Sequence, residues 1–139
     1  MLRDLADKYY YDQNLNCAET LLHAANDYYG LGLDERSMRL VAGYGAGMQT
    51  GNVCGTVLSA IGILSEKYVE TKAHESQDIK PVTQKFLRRF RESLNGSLLC
   101  KNLKAAYFEP EKRCIYTVLT ACDVLEQVID EYESGGRSI

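Results

Sequence analysis

Apolar residues recur at intervals of three and four along most of the chain, which is the spacing of an amphipathic α-helix. Alternation of apolar and polar residues, the pattern of a half-buried strand, never continues for long. The pattern predicts an all-α, single-domain bundle of about five or six helices. The predicted helices cover 2–10, 17–29, a segment after Asp34 that includes 38–42, 53–68, 79–94 and 110–132, with a short helical turn over 98–103.

Several helix boundaries are marked by residues that favour helix ends. Asn16 is a good N-cap, and Glu19 stands three residues later, as in a capping box. Asp34 is a second N-cap candidate, and the two prolines, Pro81 and Pro110, both suit the beginning of a helix. These signals predict where helices begin more firmly than the apolar spacing does.

A glycine-rich segment, residues 43–52, interrupts the helical pattern. Its glycines stand at 43, 45, 47 and 51, a density that breaks regular structure and lets backbones approach closely. The segment lacks the Gly-Lys-Ser/Thr of a phosphate-binding loop and follows no predicted strand. We therefore expect it to be a site of close approach, and we predict that Gly51, Asn52 and Gly55 contribute to ligand or cofactor binding.

Composition is that of an ordinary globular protein. The chain has 139 residues, of which 45% are apolar and 25% charged, so it can bury a core without disulfides. We assign residues 1–133 to one all-α domain with a four-cysteine pattern and expect 134–139 to form a disordered tail.

Charge and hydropathy exclude several functions. The net charge is −3, and the basic segment 85–91 reads as a solvated helix face, so no nucleic-acid partner is predicted. The N-terminal residues carry acids and lack a long apolar stretch, and no run approaches the roughly 20 residues of a membrane span. These features predict a cytoplasmic protein without a membrane span.

Four of the five cysteines fall at or near predicted helix starts: Cys17, Cys54, Cys100 and Cys114. Unpaired N–H groups and a partial positive charge at a helix start favour the thiolate, which attacks disulfides and binds metals. If Asn16 and Asn52 are N-caps, Cys17 is the first residue of its helix and Cys54 the second. Cys122 lies mid-helix in an apolar band and is interpreted as structural, although the sequence leaves its participation open.

The cysteine spacing excludes familiar local motifs. There is no Cys-x-x-Cys, so neither a thioredoxin-type pair nor a zinc ribbon is indicated. The four cysteines are separated by 37, 46 and 14 residues, so a shared site requires the fold to bring them together. The sequence does not show which sulfurs meet.

The four cysteine segments together resemble the C_GCAxxG_C_C family, which is named for its cysteine pattern and regarded as redox-active. The resemblance spans about Leu15 to Val128, although Thr56 and Ser59 stand where it implies alanine and glycine. Relatives are often encoded near transporter genes, which implies association with a transporter. The matching segments are Asn16–Leu22, Gly43–Gly55, Gly96–Cys100 and the region that begins at Cys114.

Three functional hypotheses stay open. The first is a thiol redox protein in which Cys17 or Cys54 attacks a disulfide or a peroxide-type oxidant. A neighbouring cysteine resolves the mixed disulfide, and Cys100 and Cys114 form a second pair or relay. The second is a zinc or iron–sulfur site formed by the same four sulfurs. The third is a non-catalytic helical interaction module. A thiol or disulfide redox partner follows from the first, and a homodimer is a further expectation.

Overall fold

The computed structural model describes residues 1–135, and the predicted tail lies partly outside them, at 136–139. Within the described part, six α-helices follow a helical N-terminal segment, and no strand forms beyond isolated bridges. The all-α prediction is therefore confirmed, and if the helical N-terminal segment is counted as one helix, the described residues contain seven, slightly above the predicted five or six. The α-helices are α1 (Cys17–Tyr29), α2 (Glu35–Met38), α3 (Gly55–Tyr68), α4 (Ile79–Ser93), α5 (Cys100–Tyr107) and α6 (Ile115–Glu133).

Shorter turns of 3₁₀ and π type fill most of the connections. The N-terminal segment comprises two of them, Leu2–Leu5 and Lys8–Asp12. The others are Arg39–Tyr44, Gly47–Gly51 and Ala73–Glu75. No helix among residues 1–135 is both long enough and apolar enough to cross a bilayer.

The predicted capping of the first two helices is confirmed. The Asn16 side chain accepts a hydrogen bond from the Glu19 N–H at 2.9 Å, and the Glu19 carboxylate accepts one from the Asn16 N–H at 3.0 Å. The Asp34 carboxylate accepts from the Ser37 N–H at 2.7 Å. Gly30 ends α1 in the left-handed conformation, with φ of 61°. These local bonds fix where α1 begins and therefore where Cys17 lies.

The apolar faces of the helices meet in one buried cluster. Helix α1 packs mainly against α3, and α4 against α6. Phe86 and Phe90 stack within α4, with ring centroids 5.9 Å apart, and both are fully buried. Ser59 of α3 donates a hydrogen bond to the Ala18 carbonyl at 2.8 Å, so these two helices lie close together near their starts.

The last helix begins later than the predicted Pro110. The structure has a tight turn at this point, closed by paired backbone hydrogen bonds between Glu109 and Arg113. Proline suits the second position of a turn as well as the beginning of a helix. Pro110 alone therefore does not distinguish a turn from a helix start. Arg113 has a φ of 56°, which ends the turn, and α6 starts at Ile115 with Cys114 as its N-cap.

Candidate functional site

The four predicted cysteines meet at one cavity. A space of about 200 Å³ is lined by Cys17, Cys54, Cys100 and Cys114, together with side chains from the N-terminal segment and from α5 and α6. All are free thiols. Cys122 is fully buried within α6 and does not line this cavity. Folding thus brings together cysteines that are as many as 97 residues apart in sequence, the separation of Cys17 and Cys114.

Each lining cysteine stands at a helix start. Cys17 is the first residue of α1 and Cys100 the first of α5, whereas Cys54 and Cys114 are the N-caps of α3 and α6. The prediction that Asn52 caps α3 is wrong, because the helix begins two residues later than that cap requires. All four cysteines nevertheless stand at a helix start, and at Cys54 the N–H groups of Thr56 and Val57 lie close enough to the sulfur to lower its pKa.

A two-residue bridge holds two of these helix starts side by side. Val53 and Leu99 pair in antiparallel fashion. The Cys54 N–H donates to the Leu98 carbonyl at 2.8 Å, and the Cys100 N–H donates to the Asn52 carbonyl at 2.6 Å. The bridge therefore fixes the backbones of both cysteines, and it is too short to leave a strand pattern in the sequence.

Gly55 creates room for the Cys17 sulfur. A methyl group added at Gly55 would lie 2.9 Å from Cys17 Sγ and 2.7 Å from the Tyr44 carbonyl oxygen. Both distances are shorter than van der Waals contact, so a side chain here would displace the sulfur or the backbone. Gly55 thus permits the close approach of α1 and α3, a role that differs from the predicted contact with a cofactor.

Two glycines of the glycine-rich segment serve the same purpose. A methyl group at Gly45 would lie 2.5 Å from the Asn16 side-chain nitrogen, and one at Gly47 would lie 2.7 Å from Cys100 Cβ and 2.5 Å from the Asn52 nitrogen. The segment therefore packs against the cap of α1 and the start of α5. The close approach predicted for this segment is therefore an approach between parts of the protein itself, and it does not require a bound phosphate.

The remaining predicted cofactor contacts lie outside the cavity lining. Gly51 has a φ of 75° and faces the Lys101 side chain. The Asn52 side chain accepts a hydrogen bond from the Val53 N–H at 2.9 Å. The structure therefore gives both residues a local structural role, and their binding to a cofactor stays a prediction.

Cys17 and Cys54 form a hydrogen-bonded pair in which Cys54 is the acidic thiol. The Cys17 thiol donates to the Cys54 sulfur and, against the opposing effect of burial, this lowers the pKa of Cys54 to about 6. The Thr56 hydroxyl adds a second contact, 2.9 Å from the same sulfur. The same hydrogen bond and burial raise the pKa of Cys17, so one proton stays between the two sulfurs.

The start of α3 also lowers the pKa of Cys54, by a smaller amount. The N–H groups of Thr56 and Val57 do not complete a capping hydrogen bond of good geometry to Cys54, yet they lie close enough to lower its pKa. This is the effect expected of a sulfur placed at a helix N-terminus. Cys54 is therefore largely a thiolate at neutral pH, although only 6% of its surface is exposed.

Cys100 and Cys114 differ from Cys54 in that burial raises the pKa of both thiols. The positive charge of Lys104 opposes this effect at each of them. Tyr10 also contacts Cys114, since its hydroxyl accepts a hydrogen bond from the Cys114 N–H at 3.0 Å. The cavity thus holds one acidic thiol and three that stay protonated at neutral pH.

The described residues contain no ligand set already arranged for a metal ion. Among residues 1–135, no three or more Cys, His, Asp or Glu side chains are placed so that they form a ligand set. A zinc or iron–sulfur site requires four sulfurs to converge on one point at bond distance. The metal hypothesis therefore stays a prediction that the geometry of the cavity does not support.

Comparison with protein families agrees with the cysteine pattern. The sequence model of a family described as "Putative redox-active protein (C_GCAxxG_C_C)" matches residues 15–128. The chain belongs to this family. Searches of curated proteins and of solved structures gave no match. The resemblance expected from Leu15 to Val128 is therefore confirmed, and with it the assignment to a redox-active family.

The sequence of this C_GCAxxG_C_C protein does not predict one contact of the candidate site, that of Thr56. Thr56 was noted only as a departure from the family pattern, yet its hydroxyl contacts the Cys54 sulfur. Its position two residues after Cys54, at the start of a helix, was the available signal. Ser59, the other departure, is fully buried and bonds to Ala18, so close packing of α1 and α3 is retained.

We expect Thr56→Val to raise the pKa of Cys54, because the variant keeps the side-chain shape and loses the hydroxyl. A hydrogen bond to a charged group contributes about 1.5–3 kcal/mol, so the expected rise is about one to two pH units. Thr56→Ser retains the hydroxyl and should titrate like the parent. The pH dependence of alkylation at Cys54, followed by peptide mass spectrometry, measures this, and identical profiles for all three proteins would contradict it.

Proposed function

We propose that this protein is a thiol–disulfide oxidoreductase in which Cys54 attacks and Cys17 resolves. The observation that carries the proposal is that Cys17 and Cys54 line one cavity, where the neighbouring Cys17 thiol lowers the pKa of Cys54. A thiolate is the attacking species in disulfide exchange, and a neighbouring thiol is needed to complete it. Both sulfurs line the same cavity, which admits a small substrate.

The exchange proceeds in two balanced steps. The Cys54 thiolate attacks one sulfur of a disulfide, forms a mixed disulfide and releases the other sulfur as a thiolate. Cys17 then passes its proton to a departing thiolate and attacks the Cys54 sulfur, which releases the second half of the substrate. The substrate disulfide is reduced to one thiol and one thiolate, the thiolate takes a second proton from water, and Cys17 and Cys54 are oxidised to one disulfide.

Cys100 and Cys114 are proposed as the second pair or relay. They line the same cavity, and the charge of Cys54 is felt at both of them. Their higher pKa values make them slow to attack an external substrate but suitable as receivers of a disulfide from Cys17 and Cys54. A redox partner carrying a dithiol or disulfide would then restore the starting state. A cytoplasmic location, a homodimer and association with a transporter stay predictions.

Trapping the intermediate tests the assignment of roles. Cys17→Ser removes the resolving sulfur but keeps a hydroxyl that donates to Cys54. After treatment with bis(2-hydroxyethyl) disulfide at pH 7, this variant should accumulate a mixed disulfide on Cys54, whereas the parent should show a Cys17–Cys54 disulfide. Peptide mass spectrometry under non-reducing conditions distinguishes the two.

The matched control is Cys100→Ser, which should still form the Cys17–Cys54 disulfide. A mixed disulfide that appears first on Cys100 or Cys114 would reject Cys54 as the attacking residue. Absence of any adduct on the folded parent protein would reject the proposed function itself.

A further inference from the structure

Apart from the Cys54 thiolate, the charged side chains that line the cysteine cavity are positive. Lys104 and Arg113 face it, and no Asp or Glu is among the described residues of its lining. This contrasts with the chain as a whole, whose net charge is −3. None of the ion pairs within residues 1–135 includes either cation. Both positive charges are therefore available to a ligand.

Arg113 is held in place by aromatic contacts. Its guanidinium lies 4.5 Å from the ring centroid of Tyr10 and 5.6 Å from that of Tyr11, and it donates a hydrogen bond to the Tyr10 carbonyl at 3.3 Å. The hydrogen bond to the Tyr10 carbonyl uses one of the guanidinium N–H groups. The remaining donors form the planar fork that binds a carboxylate with two parallel hydrogen bonds.

Lys104 lies at the rim of the same cavity. Its side chain projects from α5 and is exposed, with the ammonium 6.0 Å from the Phe108 ring centroid. Its charge reaches the sulfurs, because it opposes the rise in pKa at Cys100 and at Cys114. A ligand that contacts the sulfurs therefore also lies within the field of this lysine.

The rest of the lining suits the apolar part of a small disulfide. Leu103, Val118 and Phe108 contribute hydrocarbon surface that matches methylene and sulfur atoms. The volume of about 200 Å³ is below the roughly 300–1,000 Å³ of pockets that enclose drug-sized ligands. The cavity therefore fits a short disulfide, or one end of a longer molecule.

We propose that the cavity is specific for small disulfides that carry a carboxylate, which Arg113 and Lys104 bind while Cys54 attacks the S–S bond. This inference rests on the proposed thiol–disulfide exchange and adds the substrate class. The two cations also offset the repulsion between the Cys54 thiolate and an anionic substrate. The covalent steps and their balance are those given above, with the carboxylate unchanged throughout.

Three disulfides of similar length test the charge preference: 2,2′-dithiodiacetate, bis(2-hydroxyethyl) disulfide and cystamine. The rate of the first exchange should fall in that order from anion to neutral molecule to cation. Lys104→Gln and Arg113→Gln should each lower the ratio of anionic to neutral rates by about two- to fivefold, the effect of a partly exposed charge pair. Added salt should lower the same ratio.

Lys101→Gln is the matched control, because Lys101 is an exposed lysine of the same helix that does not line the cavity. It should leave the ratio unchanged, and circular dichroism checks that each variant is folded. Equal rates for the three disulfides, or an equal loss in the Lys101 variant, would overturn this inference while leaving the exchange reaction intact. No reaction with the neutral disulfide would instead overturn the proposed function.

Discussion

Cys54→Ser is expected to slow the reaction of the folded protein with a neutral disulfide at least about 20-fold at pH 6. The pKa of Cys54 is about 6, whereas the pKa values of the other four thiols are raised above the ordinary 9.0. At pH 6 this favours Cys54 by at least about 500-fold in thiolate fraction, and its lower basicity offsets about 20- to 30-fold of that advantage. Stopped-flow measurement of the released thiol gives the rates.

The pH profile of the parent supplies an independent check. Because the pKa of Cys54 is lowered, its thiolate is present above pH 6 and lost below it, so the fast phase should rise through pH 6 and level off near neutrality. Cys100→Ser should keep that profile. A fast phase that survives in Cys54→Ser, or one that has its midpoint near pH 9, would show that another thiol is responsible.

Gly47→Ala is expected to reduce the free energy of unfolding by about 2–5 kcal/mol. Gly47 has a φ of 61°, a conformation that an L side chain adopts at a cost. The added methyl group would also lie 2.5 Å from the Asn52 nitrogen and 2.7 Å from Cys100 Cβ. The Val53–Leu99 bridge holds the backbones of Asn52 and Cys100 in place, so neither can easily move away. Urea denaturation followed by circular dichroism measures the change.

Gly62→Ala provides the comparison within the same protein. Gly62 is an exposed residue inside α3, and a methyl group there meets nothing within 4 Å. Alanine is the better helix former, so this variant should gain about 0.5–1 kcal/mol. Equal destabilisation by Gly47→Ala and Gly62→Ala would mean that the packing around Gly47 does not explain the need for glycine at that position.

The sequence predicted local structure well where a side chain satisfies its own backbone. Asn16 and Asp34 mark helix starts in the sequence, and the structure places their caps there. The ends of α1 and α3 were likewise close to the predicted Tyr29 and Tyr68. The start of α6 was missed, because Pro110 fits a turn and a helix equally well and the backbone pairing of Arg113 decided between them.

The sequence predicts which cysteines share the candidate site, but it does not predict how they are arranged relative to one another. Helix starts and the spacing of the cysteines indicated Cys17, Cys54, Cys100 and Cys114, and all four line the cavity. Their pairing depends on contacts between distant segments, such as the Val53–Leu99 bridge, that leave no periodic signal. Which thiol is acidic depends on donors that the tertiary fold brings to one sulfur, and the residue types alone do not encode that.

Because Cys122 is buried away from the cavity, its reaction with a labelling reagent reports whether the protein is folded. This thiol is fully buried in α6, and burial raises its pKa to about 12, so an alkylating reagent reaches it only when the helices separate. Cys54 should be labelled in the intact protein, and Cys122 on the slower timescale of global opening. A single labelling time course thus yields both the reactivity of the centre and the stability of the fold that supports it.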